Sequence, residues 1–79
     1  MAGAAWNEVD GKLEAVVQKK DFAEAMAFVN RVADAAEAAD HHPDIDIRWN
    51  TVTLRLWTHT ARSITDKDRA LAAEIDRLL

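Results

Sequence analysis

The 79-residue chain has no cysteine, no tyrosine, two glycines and one proline. The absence of cysteine excludes disulfide bonds and metal sites built on thiolates. No apolar run approaches the ~20 residues of a membrane-spanning helix, so we expect no membrane partner. A basic excess is missing too, because the formal net charge is −4 and residues 21–47 carry one positive and seven negative charges. We therefore expect no nucleic-acid partner, since binding to phosphates needs a basic surface.

The residues that are present indicate one small folded domain over residues 1–79. An apolar content of 49% is ordinary for a globular protein. A chain this short buries only about 60% of the surface of its unfolded form, so partner subunits would stabilise it. Met1 to Trp6 lacks the basic region and apolar stretch of a secretory signal, and we expect a reducing, cytoplasmic compartment.

Two segments have the two-residue period of β-strands. Residues 5–18 predict a hairpin, because Asp10-Gly11 suits a type I′ turn and apolar side chains alternate after it. Residues 44–60 predict two further strands with a turn near Asn50. In the second of these, the apolar positions Val52, Leu54 and Leu56 alternate with Thr51, Thr53, Arg55, Trp57 and His59.

Two other segments have the period of α-helices. The first should run from Asp21, as N-cap, to Ala39 and end near Asp40 or His41, because Pro43 disfavours a helical residue before it. Its apolar stripe is Phe22, Met26, Val29, Ala33 and Ala36, widened by Ala25, Phe28 and Val32. The second helix should begin at Thr65, with Asp68 completing a capping box, and present Leu71, Ile75 and Leu78.

The predicted order is therefore β-β-α-β-β-α. Such an order is typical of an α+β fold in which a four-stranded antiparallel sheet carries its helices on one face.

The three histidines are the main candidates for chemistry. Imidazole donates and accepts protons near neutral pH, so His41, His42 and His59 suit acid–base catalysis. Glu37 precedes His41 by four residues and would share its face if the helix continued that far. We expect His59 to lie at a strand end, where it can approach the His41–His42 corner.

Other interpretations of the same residues stay open at this point. Adjacent histidines can cap a helix C-terminus, where a positive ring offsets the helix dipole. Trp49 and Trp57 can form the wall of a site for a planar ligand, or Trp57 can serve packing alone. Three histidines near carboxylates can also bind zinc, although adjacent histidines project in different directions.

The spacing of these residues resembles a known family signature. Glu37-x3-His41-His42-Pro43 is followed by five residues before Trp49, nine before His59 and eight before Asp68. This pattern resembles that of the pterin-4a-carbinolamine dehydratases, also known as the dimerisation cofactor of homeodomain transcription factors. The similarity covers roughly residues 5–79 and includes three flanking segments: Ala5–Gly11, Lys20-Asp21-Phe22 and Thr51–Leu54. The segment Asp44–Arg48, however, lacks the aromatic residues often seen near that position in the family.

The resemblance implies a dehydratase, a lyase that converts a 4a-hydroxytetrahydropterin to a quinonoid dihydropterin and so recycles a tetrahydrobiopterin-type cofactor. It implies a pterin substrate, no metal and no organic cofactor. The catalytic residues would be His41, His42, His59 and Glu37, and the pterin-binding residues Asp40, Pro43, Trp49, Trp6 and Asp68. We expect a homodimer, with a tetramer possible. The alternative is a non-catalytic pterin-binding or regulatory dimerisation module on the same fold.

Overall fold

A computed structural model describes residues 5–79, so the predicted absence of a secretory signal at Met1 to Trp6 lies largely outside the described residues. The element order β-β-α-β-β-α and the α+β class are confirmed. The elements are β1 (Asn7–Val9), β2 (Lys12–Gln18), α1 (Phe22–Ala39), β3 (Asp44–Arg48), β4 (Thr51–Leu56) and α2 (Asp66–Asp76). Over this range no helix is both long and apolar enough to traverse a bilayer.

The four strands form one antiparallel sheet in the order β1-β2-β4-β3. The predicted hairpin turn is present, because both Asp10 (φ 51°) and Gly11 (φ 76°) adopt the positive φ that a type I′ turn requires. The central pair, β2 and β4, joins segments from the two halves of the chain, starting with Leu13 opposite Leu56.

One face of this central pair forms the core, as the alternation predicted. The apolar side chains of β2 lie in register with those of β4, and both sets are buried beneath the helices: Leu13, Ala15 and Val17 opposite Leu56, Leu54 and Val52. Val16, whose side chain is 59% exposed, faces the other side of the sheet. From α2, the side chains Leu71, Ala72 and Ile75 complete the core.

The buried stripe of α1 is narrower than predicted. Its buried residues are Ala25, Phe28, Val29, Val32 and Ala36. Phe22 is 48% exposed and Ala33 is also exposed, so the assignment of these two residues to the core-facing stripe was wrong. Helix α1 packs on the sheet and on α2 through the part of its apolar surface centred on Phe28 and Val32. Apolar residues at the edge of that surface remain in solvent.

Strand β4 ends at Leu56, earlier than the predicted limit of residue 60. The ladder stops because the partner strands stop: Leu56 pairs with Leu13 near the start of β2, and Arg55 pairs with Asp44, the first residue of β3. The chain then turns, and Thr58 forms an isolated bridge with Ser63. His59 therefore lies in this turn and not on the strand itself.

We expect a matched pair of Val→Thr substitutions to separate the two sheet faces. In Val52→Thr a hydroxyl replaces a methyl group in the fully buried core, and we expect a loss of about 1–3 kcal/mol in the free energy of unfolding. Val16→Thr makes the same change at an exposed position and should stay within about 0.5 kcal/mol of the wild type. Urea denaturation measures both, and equal losses would contradict the assignment of faces.

Candidate active site

The end of α1 places the adjacent histidines. Asp40 adopts a left-handed conformation (φ 50°, ψ 43°), and its backbone N–H donates to the carbonyls of Ala36 and Glu37. The N–H of His41 also donates to the carbonyl of Ala36, at 3.1 Å. These bonds form the pattern that commonly ends a helix with a left-handed residue. His41 therefore lies outside the helix.

A buried carboxylate, that of Asp68, holds His41. The Nε2 atom of His41 lies 2.6 Å from Oδ1 of Asp68, whose side chain is fully buried. The other oxygen, Oδ2, accepts from the hydroxyl of Thr58 and from the backbone N–H of Thr65, both at 2.8 Å. Thr65 is the N-cap of α2, and the predicted capping box with Asp68 is present. One carboxylate therefore joins the chain after α1, the chain after β4 and the start of α2.

The charge of Asp68 determines which nitrogen of His41 carries a proton. Burial raises the pKa of Asp68, but hydrogen bonds from His41, Thr65 N–H and the Thr58 hydroxyl, with the charge of His41, outweigh burial and lower this pKa below its ordinary value. The carboxylate is thus ionised at neutral pH and can only accept hydrogen bonds. It follows that Nε2 of His41 is the protonated nitrogen, and that Nδ1 carries the lone pair when the ring is neutral.

Glu37 binds His42 and not His41. Its Oε2 lies 2.6 Å from Nε2 of His42. The pairing of Glu37 with His41, expected only if the helix continued to His41, is not formed, because α1 ends at Ala39 and the chain turns before the histidines. The Glu37–His42 pair is solvent-exposed, so it orients the ring more than it stabilises the fold.

The three histidines line one surface cleft, which we call the histidine cleft. Its volume is about 260 Å³, and it is open to solvent on one side. His59 reaches it from the turn after β4, as the predicted convergence with the His41–His42 corner required. The cleft is lined by Asp40, His41, His42, Trp57, Thr58, His59, Thr60 and Lys67.

The other predicted site residues lie outside the cleft lining. Asp68 lies behind His41, and its polar contacts are with protein groups, so it supports the site without facing the cleft. Pro43 links His42 to β3. Trp6 packs against the core, and its Nε1 donates to Asp76 at 2.9 Å. Trp49 lies just beyond the far end of β3 and is 66% exposed. The five residues of β3 carry the chain about 16 Å away from the histidine end of the strand.

The family model for pterin 4 alpha carbinolamine dehydratase matches residues 1–78. The chain belongs to this family. Its resemblance to the family signature is thereby confirmed, and the histidine cleft contains all three histidines of that signature.

Relatives of this family member come from several bacteria. A protein of Acidobacterium capsulatum is 55% identical over 75 residues, covering 95% of this chain and 82% of that protein. One from Mycobacterium sp. (strain KMS) is 51% identical over 74 residues, covering 94% and 79%. The names of both assign them, provisionally, as pterin-4-alpha-carbinolamine dehydratases.

Two solved structures share the fold. The crystal structure of a transcriptional coactivator/pterin dehydratase from Brucella melitensis superposes with a TM-score of 0.88 at 31% identity, covering 92% of this chain and 80% of that one. A pterin dehydratase-like protein identified as a RuBisCO assembly factor in the alpha-carboxysome superposes with a TM-score of 0.76, covering 96% and 88%. At 23% identity, this second likeness concerns the fold alone.

Trp57, for which the sequence left open a wall for a planar ligand or packing alone, lines the cleft of this pterin dehydratase family member. Three further lining residues were not predicted: Thr58, Thr60 and Lys67. The alternation of β4 offered a signal for Trp57, because it lies two positions before His59 and therefore on the same side of the chain. Lys67 and the threonines gave no comparable signal. They reach the cleft through the turn and the start of α2, which the sequence pattern does not orient.

We expect Asp68→Asn to lower the free energy of unfolding by about 1.5–3 kcal/mol at pH 7, because charged hydrogen bonds are lost in a buried site. The folded-state pKa of Asp68 is lowered, so its contribution is present above the unfolded pKa near 3.9 and is lost as pH falls through the folded value. The difference between wild type and variant should therefore shrink below about pH 4.

Asp66→Asn is the matched control for this prediction. Asp66 lies in the same first turn of α2, but it is exposed. Denaturation curves at pH 7 and at acid pH measure all three proteins. A difference between Asp68→Asn and wild type that is small at pH 7, or constant with pH, would contradict the role of the buried carboxylate.

Proposed function

We propose that this protein catalyses the dehydration of a 4a-hydroxytetrahydropterin to a quinonoid dihydropterin. The observation that supports the proposal is the gathering of three imidazoles around one cleft. A volume of about 260 Å³ lies just below the range of ~300–1,000 Å³ for small-molecule sites, which suits one flat ring system with its substituent outside. Family membership supports the same substrate class.

The reaction needs one acid and one base. The C4a–O bond breaks, and the departing oxygen takes a proton from the acid to leave as water. The base removes the proton on N5, and the electron pair of the N5–H bond forms the double bond between N5 and C4a. Two imidazoles in opposite protonation states supply both steps near neutral pH.

We assign the base to His41 and the acid to His59. Asp68 keeps the proton of His41 on Nε2, so the lone pair of the neutral ring is on Nδ1 and can accept the N5 proton. His59 lies in the turn after β4, in contact with solvent, from which it can regain a proton after each turnover. His42 and Asp40 bind the pterin, and Glu37 orients His42.

Single alanine substitutions test this assignment. His41→Ala and His59→Ala should each lower the dehydration rate at least tenfold, in line with the ~10²–10⁴-fold that acid–base catalysis contributes. His42→Ala should also lose more than about tenfold, through weaker binding and orientation of the pterin. Rates are followed by absorbance after the 4a-hydroxypterin is generated in the assay.

Lys20→Ala is the control for these variants, because Lys20 is exposed before α1 and lies outside the cleft lining. An unchanged rate in His41→Ala would overturn the assignment of the base. A wild-type protein that binds a reduced pterin without accelerating dehydration would favour the alternative, a non-catalytic pterin-binding module on the same fold.

We also propose that the protein is a homodimer. The supporting consideration is size, because a 79-residue domain has a small core that burial against a second copy would stabilise. Large apolar side chains that remain exposed, such as Phe22 and Trp49, are available for such a contact. Sedimentation velocity at micromolar concentration should give twice the chain mass of 8.8 kDa. A species of single-chain mass would contradict the proposal, and one of four-chain mass would establish the tetramer.

A further inference from the structure

Trp57 lies beside His59 in the histidine cleft. The two ring centroids are 4.2 Å apart, and the ring planes are tilted by 45°. The side chain of Thr58, which lies between them in the sequence, points inward, where it is buried and donates a hydrogen bond to Asp68. Trp57 and His59 therefore project to the same side of the chain, and both line the cleft.

His59 has little else to fix its ring. Its backbone carbonyl accepts from the N–H of Arg62 at 3.3 Å, within the turn. Within residues 5–79, no hydrogen bond or ion pair to the imidazole of His59 is present, in contrast to His41 and His42. The exposed imidazole of His59 instead contacts the indole ring of Trp57.

Trp57, in turn, is held from two other strands. Its Nε1 donates to Oδ2 of Asp44, the first residue of β3, at 3.3 Å. The Nζ atom of Lys12, the first residue of β2, lies 5.1 Å from the centroid of its ring, within the range of a cation–π contact. Three strand ends thus meet at one indole, which is anchored to the sheet while His59 is not.

We propose that Trp57 is a positioning residue for His59. The indole holds the imidazole at the cleft, in the orientation from which it can donate its proton to the leaving oxygen. Displacement of a catalytic group by about 1 Å can cost about 100-fold in rate, so a ring contact of this kind has a measurable kinetic consequence. The kinetic part of this assignment rests on the proposed dehydration. The structural part does not.

The structural part is tested by NMR of the histidine rings. An indole ring shifts the proton resonances of an adjacent ring, so the His59 resonances should move in Trp57→Ala, while those of His41 and His42 stay in place. Loss of a resonance in His59→Ala assigns it. Trp49→Ala is the matched spectroscopic control, because it removes an exposed tryptophan at the other end of β3 and should leave the His59 resonances unmoved.

The kinetic part is tested on the same variants. Trp57→Ala should lower kcat about 10- to 100-fold with KM changed less than about threefold, the result expected when a catalytic group is misplaced. Trp57→Phe keeps an aromatic ring beside His59 and should recover most of kcat. If the alanine variant does not fold, Trp57→Leu, which keeps apolar bulk without a ring, replaces it in both experiments.

Two results would overturn the proposal. The first is a His59 spectrum that is the same in wild type and in Trp57→Ala. The second is a change confined to KM, which would make Trp57 only a wall for the substrate. If the wild type does not dehydrate the pterin, the proposed function fails, and the NMR comparison still decides whether the Trp57 ring contacts His59.

Discussion

The carboxylate of Asp68 is the interaction on which the site depends. Its two oxygens bind His41 on one side and Thr58 with Thr65 on the other, so a single buried ion fixes the distance between two histidine-bearing segments. One of these oxygens, Oδ2, also completes the capping box at the start of α2. The hydrogen bonds that cap α2 and those that place His41 therefore belong to one network. Each bond in it is strengthened by the low dielectric of its surroundings.

The walls of the histidine cleft differ in how they are held. The inner wall, with His41, is attached to a fully buried carboxylate, that of Asp68, which accepts three hydrogen bonds. The outer wall, with His42 and His59, is held by the exposed Glu37 and the half-buried Trp57. The two walls therefore differ in how deeply the groups that hold their histidines are buried, and not in whether those histidines are held.

The sequence was sufficient for most of the fold, because periodicity reports burial directly. The alternation of Val52, Leu54 and Leu56 placed β4 and its buried face. It could not show where β4 ends, since Trp57 and His59 keep the alternation after the partner strands have stopped. The family spacing located the three histidines, but it did not show that Trp49 is carried to the far end of the sheet. The position of Trp49 depends on the length and direction of β3, which the spacing of residues along the chain does not show.

The left-handed conformation of Asp40 restricts which amino acids can occupy this position in related proteins. Glycine, asparagine and aspartate adopt positive φ at little cost, whereas a β-branched residue does so with strain. A valine here would oppose the turn that separates His41 from α1, whatever the substrate. If other family members keep glycine, asparagine or aspartate at this position, the positive φ is sufficient to explain it. Such retention would therefore be poor evidence that the side chain at this position contacts a pterin.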